Sequence, residues 1–339
     1  MRIALPPFDP AQSAAFDAPP PADPSATIPT PIGQHFRQRG LCVWRTGWQR
    51  HDVMFSIEAG PYHHVTHNQA DKGHFTLYGL GYRWAADVGY GNDRNPDGRC
   101  QTTAHSCVLI DGRGQALSGA ALGTSGKILR YENTHKSGYA LADAKPAYDA
   151  NNAGQPGVPV RRALRHAFLV RPSGGIPAYA VVLDDIQARA PDADGKNNYT
   201  WQMITWADMR VEQPPGHPST FILTPPGPAG AVPRMVVALA ASAPLALGSA
   251  PFHPDDTPGR PPYDYRRLRA ETRAANPHFA ALLAPLPPGA PAPRFTAEGI
   301  AGAGDSARIQ ISITWPDRTD IIEWRDDSAT LKPAPGYYP

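Results

Sequence analysis

His63-His64-Val65-Thr66-His67-Asn68-Gln69-Ala70-Asp71-Lys72-Gly73-His74-Phe75 leads into Leu77-Tyr78-Gly79-Leu80-Gly81. Trp84-Ala85-Ala86-Asp87-Val88-Gly89-Tyr90-Gly91 follows, and then Ala104-His105-Ser106-Cys107-Val108-Leu109-Ile110-Asp111-Gly112. Imidazoles, carboxylates and amides sit here among apolar residues that alternate with period two, and Gly and Asp-Gly stand where turns are needed. Such alternation marks half-buried strands. Polar chemistry on a strand scaffold predicts a site at the ends of strands.

Outward from this stretch the same pattern recurs. Leu41, Val43, Trp44 and Trp48, then Val53-Met54-Phe55-Ser56-Ile57-Glu58, read as the first strands of a folded body. Further strands are predicted over 126–131, 160–170, 178–186, 199–206, 219–224, 234–241, 307–315 and 319–325, besides 74–80 and 105–111. Short strands at this density, joined by turns such as Asp111-Gly112 and Asp194-Gly195, predict an all-β fold, a large two-layer antiparallel β-sandwich. Residues 265–284 are the best helical segment, but Pro277 interrupts them, and strand and helix both stay open there. The run Arg161-Arg162-Ala163-Leu164-Arg165-His166 alternates basic with apolar residues and predicts one solvated strand face.

The chain has 339 residues, enough for one large domain or two smaller ones. Residues 1–35, rich in Pro and Ala, read as an arm or linker, 36–330 as the domain and 331–339 as a tail. The Pro-rich 285–293 reads as a loop inside that domain, because alternating strands resume after it. Lys+Arg number 32 against 30 Asp+Glu, a net charge of +2. That balance argues against nucleic acid or an anionic membrane as partner, and still allows a local basic patch to meet a polyanionic sugar. Cys42, Cys100 and Cys107 form neither a disulfide framework nor a zinc knuckle, although one bridge from Cys42 stays open. Cys107 reads as core. Gly-x-Ser-x-Gly, phosphate-loop, His-Glu-x-x-His and dinucleotide motifs are missing from the sequence.

The three blocks of the opening stretch, in their order, resemble the heparinase II/III-like polysaccharide lyases. That family shows His-x-His-x-Asp-x-x-Ser-Phe, then an Asp-Pro-Gly turn, then Ala-His-Asn-Thr-Val. Aligned on Phe75, its first His falls on His67, its second on Gln69 and its Asp on Asp71. The turn Asp falls on Asp87 and the later His on His105. The resemblance covers about residues 36–330 and implies the C-terminal β-sandwich domain of such a lyase, with β-elimination on a uronic-acid polysaccharide.

His67 is, by that resemblance, the catalytic candidate. Arg45, Asn68 and Tyr90, with Tyr62 beside them, are candidates to line the substrate cleft, and Arg45 reads equally well as the partner of Asp71 or Asp87. The family's zinc is held by the second His, the turn Asp and the later His, which points to Gln69, Asp87 and His105. An amide is a poor zinc ligand. The expectation is a weak site, one completed by His64 or His74, or no zinc and a hydrogen-bonded support of Gln69, Asp87 and His105. His63, His64 and His74 match no family position and read first as surface or supporting residues.

The resemblance further implies an α/α-toroid domain as partner, which has no counterpart in this sequence, and a periplasmic or extracellular setting. The N-terminal apolar run, broken by Pro6, is too short for a signal peptide, which predicts a chain lacking its leading part. The alternatives are a non-catalytic glycan-binding or supporting sandwich, and a zinc hydrolase.

Overall fold

The computed structural model describes residues 32–61, 69–89, 97–117, 125–151, 156–228, 230–254, 264–303, 307–325 and 328–332. Its strands, numbered in chain order, form four sheets. The first is a meander of β1 (Gly33–Phe36), β2 (Leu41–Arg45), β3 (Met54–Glu58), β4 (His74–Gly79) and β5 (Tyr82–Ala85). A second, smaller sheet has the order β15 (Ala246–Phe252), β16 (Tyr265–Ala274), β11 (Asn197–Trp206) and β6 (Val108–Ile110).

The eight-stranded sheet runs β12 (Arg210–Glu212), β13 (Thr220–Thr224), β14 (Arg234–Ala241), β17 (His278–Leu286), β10 (Tyr179–Ala188), β9 (Val160–Val170), β8 (Ser137–Asp143) and β7 (Lys127–Asn133). The last is β18 (Arg294–Glu298), β19 (Ile309–Thr314), β20 (Thr319–Arg325) and β21 (Ser328–Lys332). Every pairing among the described strands is antiparallel. One short helix, α1 (Lys145–Asp149), connects β8 to β9.

The all-β sandwich is as expected, with one addition. One face of the eight-stranded sheet places Ala167, Leu169, Val182 and Leu283 against Trp44, Phe55, Phe75 and Trp201 of the first two sheets. Its other face places Phe168, Val181, Leu183 and Leu282 against Ile311, Ile313, Ile322 and Trp324 of the last sheet. The two-layer sandwich thus carries a third layer.

A strand covered on both faces loses its polar alternation. β17 is buried at every position, and this continuous apolar run is why 265–284 looks helical in the sequence. The segment is two strands, β16 and β17, with Pro277 between them where no ladder bond is needed. β1 begins inside the stretch expected to be arm, so the folded body starts before the composition changes at Gly40. The three cysteines are free and buried, which closes the option of a Cys42 bridge.

Trp44 joins the first sheet to the eight-stranded one. Its ring lies between Phe55 and Tyr131, at centroid distances of 6.1 and 5.6 Å, and its Nε1 donates to the Glu132 carbonyl at 3.1 Å. Gly138 makes room for it: a Cβ there would lie 2.0 Å from the indole Cδ1. Gly138→Ala is therefore expected to destabilise the fold by about 1–3 kcal/mol, read from the urea midpoint. An unchanged midpoint would mean that the indole can yield.

Candidate functional site

Three strand ends converge beside the eight-stranded sheet. β4 starts at His74, turns through Leu80 and Gly81, both with positive φ (54° and 85°), and returns as β5. Two such residues make the tight hairpin turn whose twist suits antiparallel strands. Beyond β5 the Ala86 amide donates to the Ile204 carbonyl at 2.9 Å, which ties the exit segment to β11 and brings Asp87 next to His74. His105 follows a single 3-10 turn, Thr102–Ala104, whose carbonyls receive the Gln202 side-chain amide, as does that of His105 itself.

His74 Nε2 lies 3.3 Å from Asp87 Oδ2, and the His74 and His105 rings meet edge-on at 5.1 Å. One donor atom from each of His74, Asp87 and His105 falls within 4.8 Å of the others. His105 is fully buried, whereas the Asp87 side chain is 41 % exposed, so the cluster opens on one side.

Burial, helped by the neighbouring His74, lowers His105 to about 4, and the nearby Asp71 and Asp87 only partly oppose this. Burial pushes Asp87 up, but its hydrogen bond and charge interaction with His74, the His105 charge and the Gly89 amide hold it well below the carboxylate range. At neutral pH Asp87 is a carboxylate and His105 a neutral imidazole. Between about pH 6.5 and 4 the unfolded chain takes a proton that buried His105 refuses, and below that range the unfolded Asp87 does the same. Both effects act in one direction. Stability is expected to fall as pH drops from about 6.5 toward 4, measured as urea midpoints across that range; a flat profile would contradict the burial of His105.

These residues suit zinc in type and spacing, since zinc favours imidazole nitrogen with a carboxylate and an open position. His105 Nδ1 and Nε2 are buried without hydrogen-bond partners, and a cation bound at one of them would relieve that nitrogen. One bond opposes loading. The Ser106 amide donates to His74 Nδ1 at 2.9 Å, so the neutral ring carries its proton on Nε2, and an ion there must displace that proton and this bond.

Of the alternatives for the third position, Gln69 stands apart from the set. Its amide donates to the Gly89 carbonyl at 3.0 Å, linking the segment after His67 to the turn after Asp87, and His74 stands in the cluster instead. Asp71 pairs with the adjacent Lys72 at 2.7 Å. Arg45 pairs with neither Asp71 nor Asp87: its guanidinium lies over the Trp48 ring at 4.5 Å, on a half-exposed surface. His67, Asn68, Tyr90, Tyr62, His63 and His64 lie outside the described residues.

The residue that sequence reasoning missed is Arg165. In place of the solvated face expected for 161–166, Arg165 and His166 are buried. Arg165 grips Asp184 through Nε and Nη2, at 2.6 and 3.0 Å, and donates through Nη1 to the carbonyls of Gly73 and Ser106. Those are the residues immediately before His74 and after His105. Burial lowers its hold on the proton, but the Asp184 carboxylate more than offsets this, and the guanidinium is raised.

A family model described as "Heparinase II/III-like, C-terminal" matches residues 28–219. No curated protein matches the chain. Among solved structures, one of heparinase III is 13 % identical with a TM-score of 0.63, covering 88 % of this chain and 43 % of its own. The heparan sulfate lyase HepC from Pedobacter heparinus is 14 % identical with a TM-score of 0.62 and the same coverage. The chain thus spans less than half the length of these structures, and the likeness concerns the fold.

Proposed function

Because the chain belongs to the heparinase II/III-like family, through that family's C-terminal domain, we propose that it is the β-sandwich part of a lyase that cleaves a uronic-acid-containing polysaccharide by β-elimination. The observation that carries this reading is the convergence of His74, Asp87 and His105 at strand ends, with the Gln69 amide bonded to the Gly89 carbonyl beside Asp87. Acid–base chemistry requires groups held in one position, and these strand ends are held by backbone pairing.

In the proposed reaction the base removes the proton beside the uronate carboxylate, the bond to the O4 substituent breaks, and a double bond remains in the sugar. His67 takes or delivers a proton. Asn68 and Tyr90 line the cleft, whereas Arg45, in register with Met54 and Tyr78 at the end of the first sheet away from His74, stands apart from it. A further domain of toroid type supplies the remaining groups, in a setting outside the cytoplasm.

Zinc belongs to this proposal, with His74 as ligand where the family has its second His. Its chemistry would be that of a fixed positive charge bracing the strand ends, while the chain's own residues handle the proton. Metal analysis of the purified chain is expected to give one zinc, lost in His74→Ala and kept in Gln69→Ala. The opposite pattern would return the ligand role to Gln69.

Incubation with alginate, heparan sulfate, ulvan and chondroitin, followed by ultraviolet absorbance of the unsaturated uronate, tests the activity. A rise on one polymer supports the lyase. Binding with no rise would make the chain a glycan-binding or supporting module, and cleavage without the unsaturated product, abolished by chelation, would make it a hydrolase.

A further inference from the structure

A groove of about 950 Å³ lies between β1, the edge of the first sheet, and β7, the edge of the eight-stranded sheet. Arg37, Lys127 and Arg130 line it, and Pro61, the last described residue before the segment containing His67, forms part of its wall. All three cations are exposed, and none is paired to a carboxylate among the described residues. Nearby Arg39 is different, since Glu58 neutralises it at 2.9 Å. A chain with a net charge of only +2 therefore concentrates three unneutralised charges along one groove.

The groove also has the other features that a sugar chain uses. Its volume is in the range of about 300–1,000 Å³ typical of ligand sites. His35 and Tyr131, with ring centroids 5.4 Å apart, supply ring surface along it. Each bordering strand ends its sheet, so its outer backbone groups are free of a further ladder and available to hydroxyls. The strand edges are joined at one end of the groove, where the Gly126 amide donates to the Gly60 carbonyl at 2.9 Å.

We propose that this groove is a binding subsite for the acidic units of a polysaccharide, with Arg37, Lys127 and Arg130 pairing to its carboxylate or sulfate groups. The inference rests on the lyase reading for its choice of a glycan over other polyanions. Guanidinium groups pair with both anions through two parallel hydrogen bonds, and Lys127 adds a point charge. Because the groups are exposed, binding should weaken steeply with salt.

The test is binding of a fluorescent heparan sulfate octasaccharide by the full chain, titrated at several salt concentrations. The triple variant Arg37→Ser, Lys127→Ser, Arg130→Ser is expected to bind about tenfold more weakly and with a shallower salt dependence. A control of equal charge, Arg294→Ser, Arg308→Ser, Arg325→Ser on the last sheet, should bind as the parent does. Equal loss in both variants, or in neither, would overturn the subsite. So would single-stranded DNA of matched charge binding as tightly as the octasaccharide. Failure of the lyase reading is separable: a triple variant that loses binding while no preparation yields unsaturated uronate leaves the subsite standing, and unsaturated product with unchanged KM in the variant removes the subsite alone.

Discussion

Arg165→Met is expected to lower the unfolding free energy by about 3–5 kcal/mol, the usual cost of breaking a buried ion pair from one side. Arg165 on β9 faces Asp184 on β10 directly across the ladder, and both side chains are almost fully buried. Without the guanidinium, Asp184 remains a buried carboxylate with no cation, and the Gly73 and Ser106 carbonyls lose their donor. The fold's loss is also the site's loss, because these carbonyls fix the chain next to His74 and His105. Removing both charges as Arg165→Met, Asp184→Leu should recover part of the stability without restoring the site, since no donor returns to the two carbonyls. Urea unfolding measures the first effect and zinc content the second. A single variant within 1 kcal/mol of the parent, a difference ordinary for surface changes, would show that the brace is dispensable.

His67→Ala should act the other way, on rate and not on stability. A positioned proton donor or acceptor contributes about 10²–10⁴-fold to such a reaction, so formation of unsaturated uronate by the assembled lyase should fall by that factor through kcat, with KM little changed. The unfolding midpoint should stay where it is. His105→Ala is the contrast, because it empties a fully buried position among charged neighbours and should lower midpoint and rate together. If His67→Ala retains full turnover, the proton passes through another group and the assignment by resemblance fails.

Much of this fold can be read from the sequence. β9, β14 and β20 run over the residues that alternation predicts, 160–170, 234–241 and 319–325. One kind of failure comes from cover on both faces of a strand. There β17 loses its polar signal, and β9 hides Arg165 in a row that looks wet because its charge is matched only by a carboxylate on another strand. The segment 105–111 gives a strand only from Val108, since His105 closes a 3-10 turn held by Gln202, nearly a hundred residues away in the chain.

The site is legible in Asp87 and His105, with His74 one of two histidines that the sequence offers to complete it. The third had a local signal. His74 occupies the position before Phe75 where the family pattern has Ser, so a histidine absent at 69 reappears five residues later, and strand pairing returns it to the same two partners.

The sheet β18–β21 seals a surface made by strands that all precede it. During synthesis Phe168, Val181, Leu183 and Leu282 must therefore wait, uncovered, for the last strands to leave the ribosome, while β10 and β17 find each other across the intervening chain. Such distant pairings form slowly. A nascent chain in that interval is a natural client for holdase chaperones, and truncation just after Leu286 should drive the polypeptide into inclusion bodies.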